Sequence, residues 1–365
     1  MKFSAERESI LAPLQAVIGV VERRQTMPIL ANVLISGRDD QLSITATDLE
    51  VELVAKANVT LQTPGEITLP GRKLLDIIKA LPDKAQVTIT VEGERATVRS
   101  SKSRFTLATL PASDFPTVED IRAQKALLIS QSALRRMLDK THFSMAQQDV
   151  RYYLNGMLLE ADGTTLRTVA TDGHRLSYCE TTLEHEAGPT QQVIVPRKGV
   201  LELQRLLAGD GNVELAIGTN HVRAQIGDIR FTSKLIDGRF PEYGRVIPSN
   251  PTKRINANRD VLRSALQRAA ILSNEKYRGI RLALRPGLLL LQSHNPEQEE
   301  AEEELEINYD GEELEIGFNV NYLLDALAAV DGGDVVIGLT DANNSCLLTS
   351  DGAPQAKYVV MPMRL

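Results

Sequence analysis

The sequence is poor in the residues that build disulfide frameworks, metal centres and membrane spans. Its 365 residues include two cysteines, Cys179 and Cys346, and five histidines. No two histidines have the three-to-five-residue spacing typical of metal ligands, and two cysteines are too few for a disulfide scaffold or a cysteine zinc site. The longest run of leucine, isoleucine and valine covers only residues 288–291, far short of the roughly 18 apolar residues that span a bilayer. These shortages argue against redox chemistry, a metal enzyme and a membrane-spanning helix.

The first residues also lack the apolar core of a secretory signal. Charged side chains occur there at Lys2, Glu6, Arg7 and Glu8, where a signal peptide would be hydrophobic. We therefore expect a cytoplasmic protein whose cysteines are reduced core residues.

Positive charge is in deficit. The 41 lysines and arginines are outnumbered by 48 aspartates and glutamates, which gives a net charge of −7. A nucleic-acid-binding domain is usually basic, so any contact with DNA must be local or topological. Hydrophobic residues make up 42% and charged residues 24% of the chain, which is typical of a folded protein, and the length predicts two or three domains.

The chain repeats itself at a spacing of about 124 residues. ITATDLEVEL (44–53) is echoed by RTVATDGHRL (167–176) and more weakly by 291–296, so that Thr47, Thr171 and Asn295 correspond. LPGRKLLDII (69–78) is echoed by 195–203 and 318–324. A third window pairs Phe105 with Phe231 and has a last echo at Tyr358. Such self-similarity predicts three tandem structural repeats.

Hydrophobic periodicity predicts the same elements in each repeat. Apolar residues at helical spacing, such as Ile10, Leu14 and Val17, indicate an amphipathic helix near the start. Alternating stretches such as 42–45 and 87–91 indicate half-buried strands. Each repeat is therefore predicted to run strand, helix, several strands, strand, helix, several strands. This order predicts an α+β fold with antiparallel sheets.

Signatures of nucleotide binding and hydrolysis are missing: the sequence has no phosphate-binding loop, dinucleotide fingerprint, zinc-protease motif or nucleophile elbow. The best catalytic candidate is His174, a possible general base that Asp172 could orient. The corresponding stretch of the first repeat keeps an aspartate, Asp48, but has no histidine. The shared feature is thus a turn, and His174 is interpreted as a contact or structural residue. An enzyme such as a nuclease or phosphatase, and a monomeric repeat scaffold, remain the alternatives.

Five longer motifs carry a family resemblance. They are RYYLNGM (151–157), ATDGHRL (170–176), VPRKG (195–199), AILSNEK (270–276) and VMPMRL (360–365). Together, and over the full length, they resemble the β subunit of bacterial DNA polymerase III, the β sliding clamps. The resemblance implies three clamp domains at 1–122, 123–247 and 248–365, with helices inside and antiparallel sheets outside. It further implies a six-domain ring formed by a head-to-tail homodimer.

The resemblance also implies a function. A clamp encircles double-stranded DNA, slides without sequence preference and confers processivity on the replicative polymerase. It has no polymerase, exonuclease or ATPase activity of its own and needs no cofactor. The implied partners are an ATP-driven clamp loader, primer-template junctions, the polymerase III α subunit, other polymerases, and mismatch-repair and ligase-type factors that bind through short linear motifs.

Opposite charges indicate the surfaces that join two copies. A basic stretch surrounds Phe105, and an acidic one covers residues 297–306; complementary charge of this kind sets register and orientation. Ile271 and Leu272 resemble the family's apolar interface residues. The expected interface residues are Lys102, Arg104, Phe105, Ile271, Leu272, Glu299, Glu300 and Glu303. Without the resemblance, a solvated acidic surface is the alternative interpretation of this stretch.

Basic side chains recur at matching places in the repeats, where they can approach phosphates without reading bases. From this recurrence and from the family, the expected DNA contacts are Arg24, Arg72, Lys73, Gln148, Arg151, Tyr152, Tyr153, Arg197 and Lys198. The two tyrosines could stack on exposed template bases, although core packing is the alternative for one of them.

The family binds linear peptides in a groove between the second and third domains. The residues carried over to its apolar half are Leu154, Thr171, Gly173, His174, Arg175, Leu176, Pro241, Arg245, Val246, Val359 and Met361. Those carried over to its second half are Asn321, Tyr322, Asn343, Ser345, Pro362, Met363 and Arg364. Flexible methionines near the C-terminus suit such a groove, although edge-strand packing alone could explain them. Asn343 stands where the family often has an apolar residue, which leaves the peptide preference of the second half open.

Overall fold

The structure of the chain is a computed structural model that describes residues 1–21, 27–118, 126–350 and 353–364. The first repeat contains β1 (Lys2–Glu6), α1 (Arg7–Val17), β2 (Asn32–Arg38), β3 (Gln41–Thr47), β4 (Val51–Asn58), β5 (Thr60–Thr63), β6 (Gly65–Pro70), α2 (Gly71–Ala80), β7 (Gln86–Glu92), β8 (Arg95–Ser100) and β9 (Ser103–Ala108). The second contains β10 (Ala126–Ser130), α3 (Gln131–Thr141), β11 (Gly156–Asp162), β12 (Thr165–Thr171), β13 (Arg175–Thr182), β14 (Gln191–Pro196), α4 (Arg197–Leu206), β15 (Asn212–Ile217), β16 (His221–Ile226) and β17 (Ile229–Lys234). The third contains β18 (Lys253–Asn258), α5 (Arg259–Ala269), β19 (Gly279–Arg285), β20 (Leu288–His294), β21 (Glu300–Glu306), β22 (Leu314–Asn319), α6 (Val320–Ala329), β23 (Asp334–Leu339), β24 (Cys346–Ser350) and β25 (Ala353–Val360).

The predicted order of elements is confirmed in all three repeats. In α1 the buried residues Ile10, Leu14 and Val17 lie on one stripe, because positions three and four apart share a helix face. In β7 the alternating Val87 and Ile89 are buried, as expected for a strand with one face on a core.

The chain forms two compact units, which are described separately. The first comprises Met1–Leu134 and Lys198–Leu235, and the second comprises Arg135–Arg197 and Ile236–Leu365. The first unit contains an eight-stranded sheet in the order β10-β15-β16-β17-β4-β3-β2-β6 and a five-stranded sheet, β5-β1-β7-β8-β9. The second contains an eight-stranded sheet, β14-β11-β12-β13-β25-β24-β23-β18, and a four-stranded sheet, β21-β20-β19-β22. Both eight-stranded sheets are antiparallel throughout.

Each eight-stranded sheet joins half-sheets from two different repeats. In the first unit β17 pairs with β4, which places Phe231 opposite Leu53. In the second unit β25 pairs with β13, which places Tyr358 opposite Ser177. Phe231 and Tyr358 hold corresponding positions, so both junctions use the same register. Both rings are fully buried, with 0% and 1% of their surface exposed.

The turn after the third strand shows how closely the repeats match. The Asp48 carboxylate accepts hydrogen bonds from the backbone N–H groups of residues 50 and 51, and the Asp172 carboxylate accepts those of residues 174 and 175. The third repeat differs, because its turn has one additional residue: Thr171 pairs with Leu176, whereas His294 pairs with Glu300. The expectation that Asn295 corresponds to Thr171 is therefore wrong. The last residue of β20, His294, holds that position.

Candidate binding pocket

A largely apolar pocket lies in the second unit, beside the junction of β13 and β25. It has a volume of about 180 Å³. Its lining residues are Arg151, Tyr153, Leu154, Thr171, Gly173, Arg175, Leu176, Pro241, Tyr243, Val246, Val359 and Met361. Beneath it lies a cluster of buried side chains that includes Leu158, Val169, Leu176 and Val359. A concave apolar site with a few polar groups is the usual form of a small-ligand or peptide site.

Gly173 leaves room for the Arg151 side chain at one side of the pocket. Its φ of +88° is a left-handed conformation, and a Cβ atom at this position would lie 2.9 Å from the Arg151 guanidinium nitrogens. Arg151 donates to the Asp149 carboxylate at 2.9 and 3.1 Å and to the Asp172 carbonyl at 3.3 Å. The hydrogen bonds from Arg151 lower the pKa of Asp149 to about 2, so this ion pair persists at physiological pH.

Arg175 is fixed from several sides. Its guanidinium donates to Asp172 at 3.1 Å and to Asp325 at 2.6 Å. It also lies 4.5 Å from the centre of the Tyr322 ring and 5.6 Å from that of Phe143, distances at which a cation is attracted to an aromatic face. Arg175 therefore connects the apolar pocket to Tyr322, a residue predicted for the second half of the groove.

The structure brings together most of the residues predicted for the apolar half. Those that line the pocket are Leu154, Thr171, Gly173, Arg175, Leu176, Pro241, Val246, Val359 and Met361. His174 and Arg245 do not line it. His174 is exposed and its carbonyl accepts a hydrogen bond from the Met361 N–H, while the exposed Arg245 pairs with Glu242 at 2.8 Å.

Three lining residues were not predicted for the pocket. The sequence predicts Arg151 and Tyr153 as DNA contacts, and Tyr243 lies between the predicted pocket residues Pro241 and Val246. The sequence signal for Tyr243 is its position as an aromatic residue between two residues predicted to line the pocket. Tyr153 packs against the buried cluster, whereas Tyr152 is 57% exposed.

The residues predicted for the second half lie at the start of α6, in the turn between β23 and β24, and along the C-terminal segment. Asn321 lies in the first turn of α6, where its N–H donates to the side chain of the N-cap residue Asn319. The Met363 N–H donates to the Gly317 carbonyl at 2.8 Å. Asn343 is exposed in a turn closed by Asp341. The other predicted members, Ser345, Pro362 and Arg364, range from half-buried to exposed.

The predicted DNA contacts differ in how much they are engaged within the chain. Arg24 lies outside the described residues. Arg72 donates to the Val21 carbonyl at 2.5 Å, Arg197 to the Met145 carbonyl at 3.5 Å, and Lys198 pairs with the buried Asp48 carboxylate. Lys73 and Gln148 are exposed. The contact roles of these residues stay predictions.

The predicted interface residues lie at two sheet edges and one turn. Lys102 precedes β9, Arg104 and Phe105 lie within it, and this strand ends the five-stranded sheet. Glu300 and Glu303 lie in β21, which ends the four-stranded sheet, and Glu299 precedes it. Glu303 pairs with Arg268 of its own repeat at 2.6 Å. Ile271 is 74% exposed and Leu272 is half-buried.

The contacts of Asp172 do not resemble those of a catalytic acid–base pair. Its carboxylate accepts hydrogen bonds from the turn backbone and from the Arg175 side chain. Among the described residues there is no group of three or more histidines, cysteines or carboxylates placed to hold a metal ion. No helix in the same part of the chain is both long and apolar enough to cross a membrane.

Comparison with known proteins agrees with this architecture. Residues 1–119, 128–242 and 244–364 match, in turn, the N-terminal, central and C-terminal domains of the DNA polymerase III beta subunit. A beta sliding clamp of Pseudomonas aeruginosa is 55% identical, with 100% of each chain covered. A crystal structure of the Pseudomonas aeruginosa DNA polymerase III beta subunit superposes with a TM-score of 0.98 at 54% identity, again over 100% of both chains. A Pseudomonas aeruginosa sliding clamp bound to griselimycin has a TM-score of 0.97 at 55% identity, with full coverage of both.

Three tandem α+β repeats joined edge to edge by continuous antiparallel sheets define the class of protein as a three-domain DNA clamp. The chain belongs to the DNA polymerase III beta subunit family, the beta sliding clamps of bacterial DNA replication.

Proposed function

We propose that this clamp acts as a closed head-to-tail dimer that encircles duplex DNA and tethers replication and repair enzymes through the pocket. The observation that supports the proposal is a pairing between repeats that forms twice within the described part of the chain and lacks a partner there at its third occurrence. In the first repeat, β9 corresponds to β17 and β25. In the third repeat, β21 corresponds to β4 and β13. Within the described residues, β9 and β21 each end their sheets.

An unpaired sheet edge readily accepts another chain, and a contact between unlike surfaces closes into a ring when the rotation permits. Applying the register of the two internal junctions to a second copy places Phe105 opposite Ala301 and Arg104 opposite Glu302. The ring of Phe105 is half-exposed, whereas its two counterparts are buried in their junctions. In the proposed dimer, a second copy of the chain buries the exposed part of the Phe105 ring.

The internal junction of the second unit also accounts for Ile271. There Phe143, in the short turn His142–Ser144, stacks on Tyr358 with ring centroids 6.1 Å apart. The corresponding turn of the third repeat is Ala270–Leu272, and the counterpart of Tyr358 is Phe105. The exposed Ile271 side chain therefore packs on Phe105 of the other copy.

The dimer proposal is tested by measuring mass. Ile271→Asp places a charge in an apolar contact, and we expect monomers by light scattering at micromolar concentration. Val150→Asp is the matched control, since Val150 is 95% exposed and belongs to neither edge. An unchanged dimer mass for Ile271→Asp would contradict the proposed interface.

A closed ring explains how an acidic protein works on DNA. Topology prevents escape, so weak phosphate contacts suffice, and such contacts carry no sequence preference. In this proposal an ATP-driven loader opens the ring and places it around the DNA. In this proposal the clamp performs no catalysis, uses no cofactor and works in the cytoplasm, and its domains divide at 1–122, 123–247 and 248–365.

We further infer that the pocket holds short linear segments of the polymerase III α subunit, other polymerases and repair factors. Tethering raises the effective concentration of a bound enzyme at the DNA. The apolar lining and the partly exposed Met361 suit the apolar side chains of a short peptide. The relative described as bound to griselimycin shows that a clamp of this sequence class accepts a small ligand.

The pocket assignment is tested with Gly173→Leu. The first repeat has Leu49 in the same turn position with a φ of +77°, so the turn itself tolerates leucine. The new side chain must displace Arg151 and fill the pocket. We expect griselimycin affinity to fall by at least about tenfold, roughly 1.4 kcal/mol, with the dimer mass unchanged. Undiminished binding would place the ligand elsewhere.

A further inference from the structure

One wall of the pocket is formed by a loop with little backbone support. The Ile236 N–H donates to the Ile194 carbonyl at 2.9 Å, and the next strand begins only at Lys253. Between them the chain has a single helical turn, Tyr243–Arg245. Pro241, Tyr243 and Val246 of this loop line the pocket. The position of the wall therefore depends on side-chain contacts.

A side chain of this loop forms a hydrogen bond with a buried carboxylate behind the pocket. Glu160, in β11, is 5% exposed. The Tyr243 hydroxyl donates to Glu160 Oε1 at 2.8 Å, and Arg167 Nη1 donates to the same oxygen at 2.6 Å. The side-chain amide of Gln192 donates to the other oxygen. Glu160 itself does not line the pocket.

The protonation states make this contact durable. Burial alone would raise the pKa of Glu160, but the hydrogen bonds from Arg167, Gln192 and Tyr243 together lower it. Burial and the neighbouring carboxylate raise the pKa of Tyr243. At neutral pH an ionised acceptor thus meets a protonated donor, and a hydrogen bond to an ionised group is about twice as strong as a neutral one.

The aromatic ring of Tyr243 transmits this fixation to the wall. It lies 5.9 Å from the ring of Tyr178, tilted by 40°, and packs with Val246 and Ile247 against the buried cluster under the pocket. The hydrogen bond of the Tyr243 hydroxyl fixes the position and orientation of the ring. The packing of the ring in turn fixes the position of the loop.

We propose that Glu160 is a positioning residue for peptide binding: by anchoring the Tyr243 hydroxyl it holds the 237–250 loop in place as a wall of the pocket. This inference rests on the proposed function of the pocket. A ligand binds only the fraction of molecules whose wall is in place, so its apparent Kd is the intrinsic Kd divided by that fraction.

The test is Tyr243→Phe in the full-length protein, with griselimycin as the probe in a surface-plasmon measurement. This change removes one oxygen and keeps the ring that faces the pocket. We expect the apparent Kd to rise by roughly three- to tenfold through a slower association rate, with the dissociation rate nearly unchanged. Loss of a direct ligand contact would instead raise the dissociation rate. Amide hydrogen exchange within 237–250 should become faster.

Tyr178→Phe is the matched control. It makes the same chemical change in the adjacent ring, whose hydroxyl donates to Glu180 and not to the loop, so binding should stay at the wild-type level. Glu160→Gln keeps an oxygen that can accept from Tyr243 but removes the negative charge, so its association rate should fall, though by less than that of Tyr243→Phe.

The outcomes separate this inference from the pocket proposal. Three results would each overturn the positioning role. One is a wild-type association rate for Tyr243→Phe, and another is an equally slow association rate for Tyr178→Phe. The third is an association rate for Glu160→Gln that falls as far as that of Tyr243→Phe. If Gly173→Leu also binds griselimycin normally, the pocket assignment has failed. If Gly173→Leu loses binding while Tyr243→Phe does not, only the role of Glu160 has failed.

Discussion

The register between two copies can be tested with a pair of cysteines. The internal junctions predict that Arg104 of one copy lies directly opposite Glu302 of the other. Directly opposed residues in an antiparallel pair have Cα atoms about 4.5–5.5 Å apart, within the roughly 4.4–6.8 Å that a disulfide bridges. The double variant Arg104→Cys/Glu302→Cys should therefore cross-link on mild oxidation. The native cysteines are both buried and should not interfere.

A closed dimer contains this junction twice, so complete oxidation should form a disulfide at both junctions. Complete oxidation should yield a covalent circle of two chains, which migrates on a non-reducing denaturing gel apart from the singly bridged, linear dimer. Reduction should return both species to the monomer.

The control variant is Arg104→Cys/Glu303→Cys. A shift of one residue in a strand turns the side chain to the other face of the sheet, so this pair should cross-link far more slowly. Faster cross-linking by the control would refute the register. A ladder of higher oligomers would refute ring closure, because a head-to-tail contact that does not close produces filaments.

Three further substitutions probe charged side chains of the first unit. Burial raises the pKa of Glu52, although a hydrogen bond from the backbone N–H of Val118 opposes this effect. The folded protein is therefore most stable when Glu52 is protonated, and it loses that stability as pH rises through the raised pKa. Glu52→Gln should increase Tm at pH 7, with the gain vanishing below about pH 4, and a lower Tm at pH 7 would contradict this reasoning. Lys73→Ala removes an exposed cation and should lower the salt dependence of DNA binding by about one unit of slope without changing Tm. Lys198→Ala leaves the buried Asp48 carboxylate without its ion-pair partner and should cost about 1–3 kcal/mol in urea unfolding; equal Tm values for the two lysine variants would contradict the distinction.

Much of the fold is predictable from the sequence because each repeat encodes its own elements. The helical stripe of Ile10, Leu14 and Val17 and the alternation around Val87 are local patterns, and the structure confirms both. The extra residue in the third-repeat turn was missed because an insertion of one residue hardly alters a weak match. The pairing of β13 with β25 joins residues about 180 positions apart, such as Ser177 and Tyr358, and no local pattern specifies such a partner.

The pocket shows the same limit. Residues carried over from the family motifs assemble there, including Gly173 and Leu176. Arg151 and Tyr243 were missed because their roles depend on how two loops fold over the β13 turn. Arg151 donates hydrogen bonds to the Asp149 carboxylate and to the Asp172 carbonyl. These contacts depend on where the side chain lies in three dimensions, which the local sequence does not specify.

Retention on circular DNA tests the central claim most directly. The purified clamp would be incubated with nicked circular plasmid, a bacterial clamp loader and ATP, and the protein retained on the DNA would be measured before and after a restriction enzyme linearises the plasmid. A sliding ring should be retained only with loader and ATP, and it should be lost once the DNA has ends. Protein that stays bound after linearisation, or that needs no loader, would show ordinary affinity binding and contradict a topological clamp.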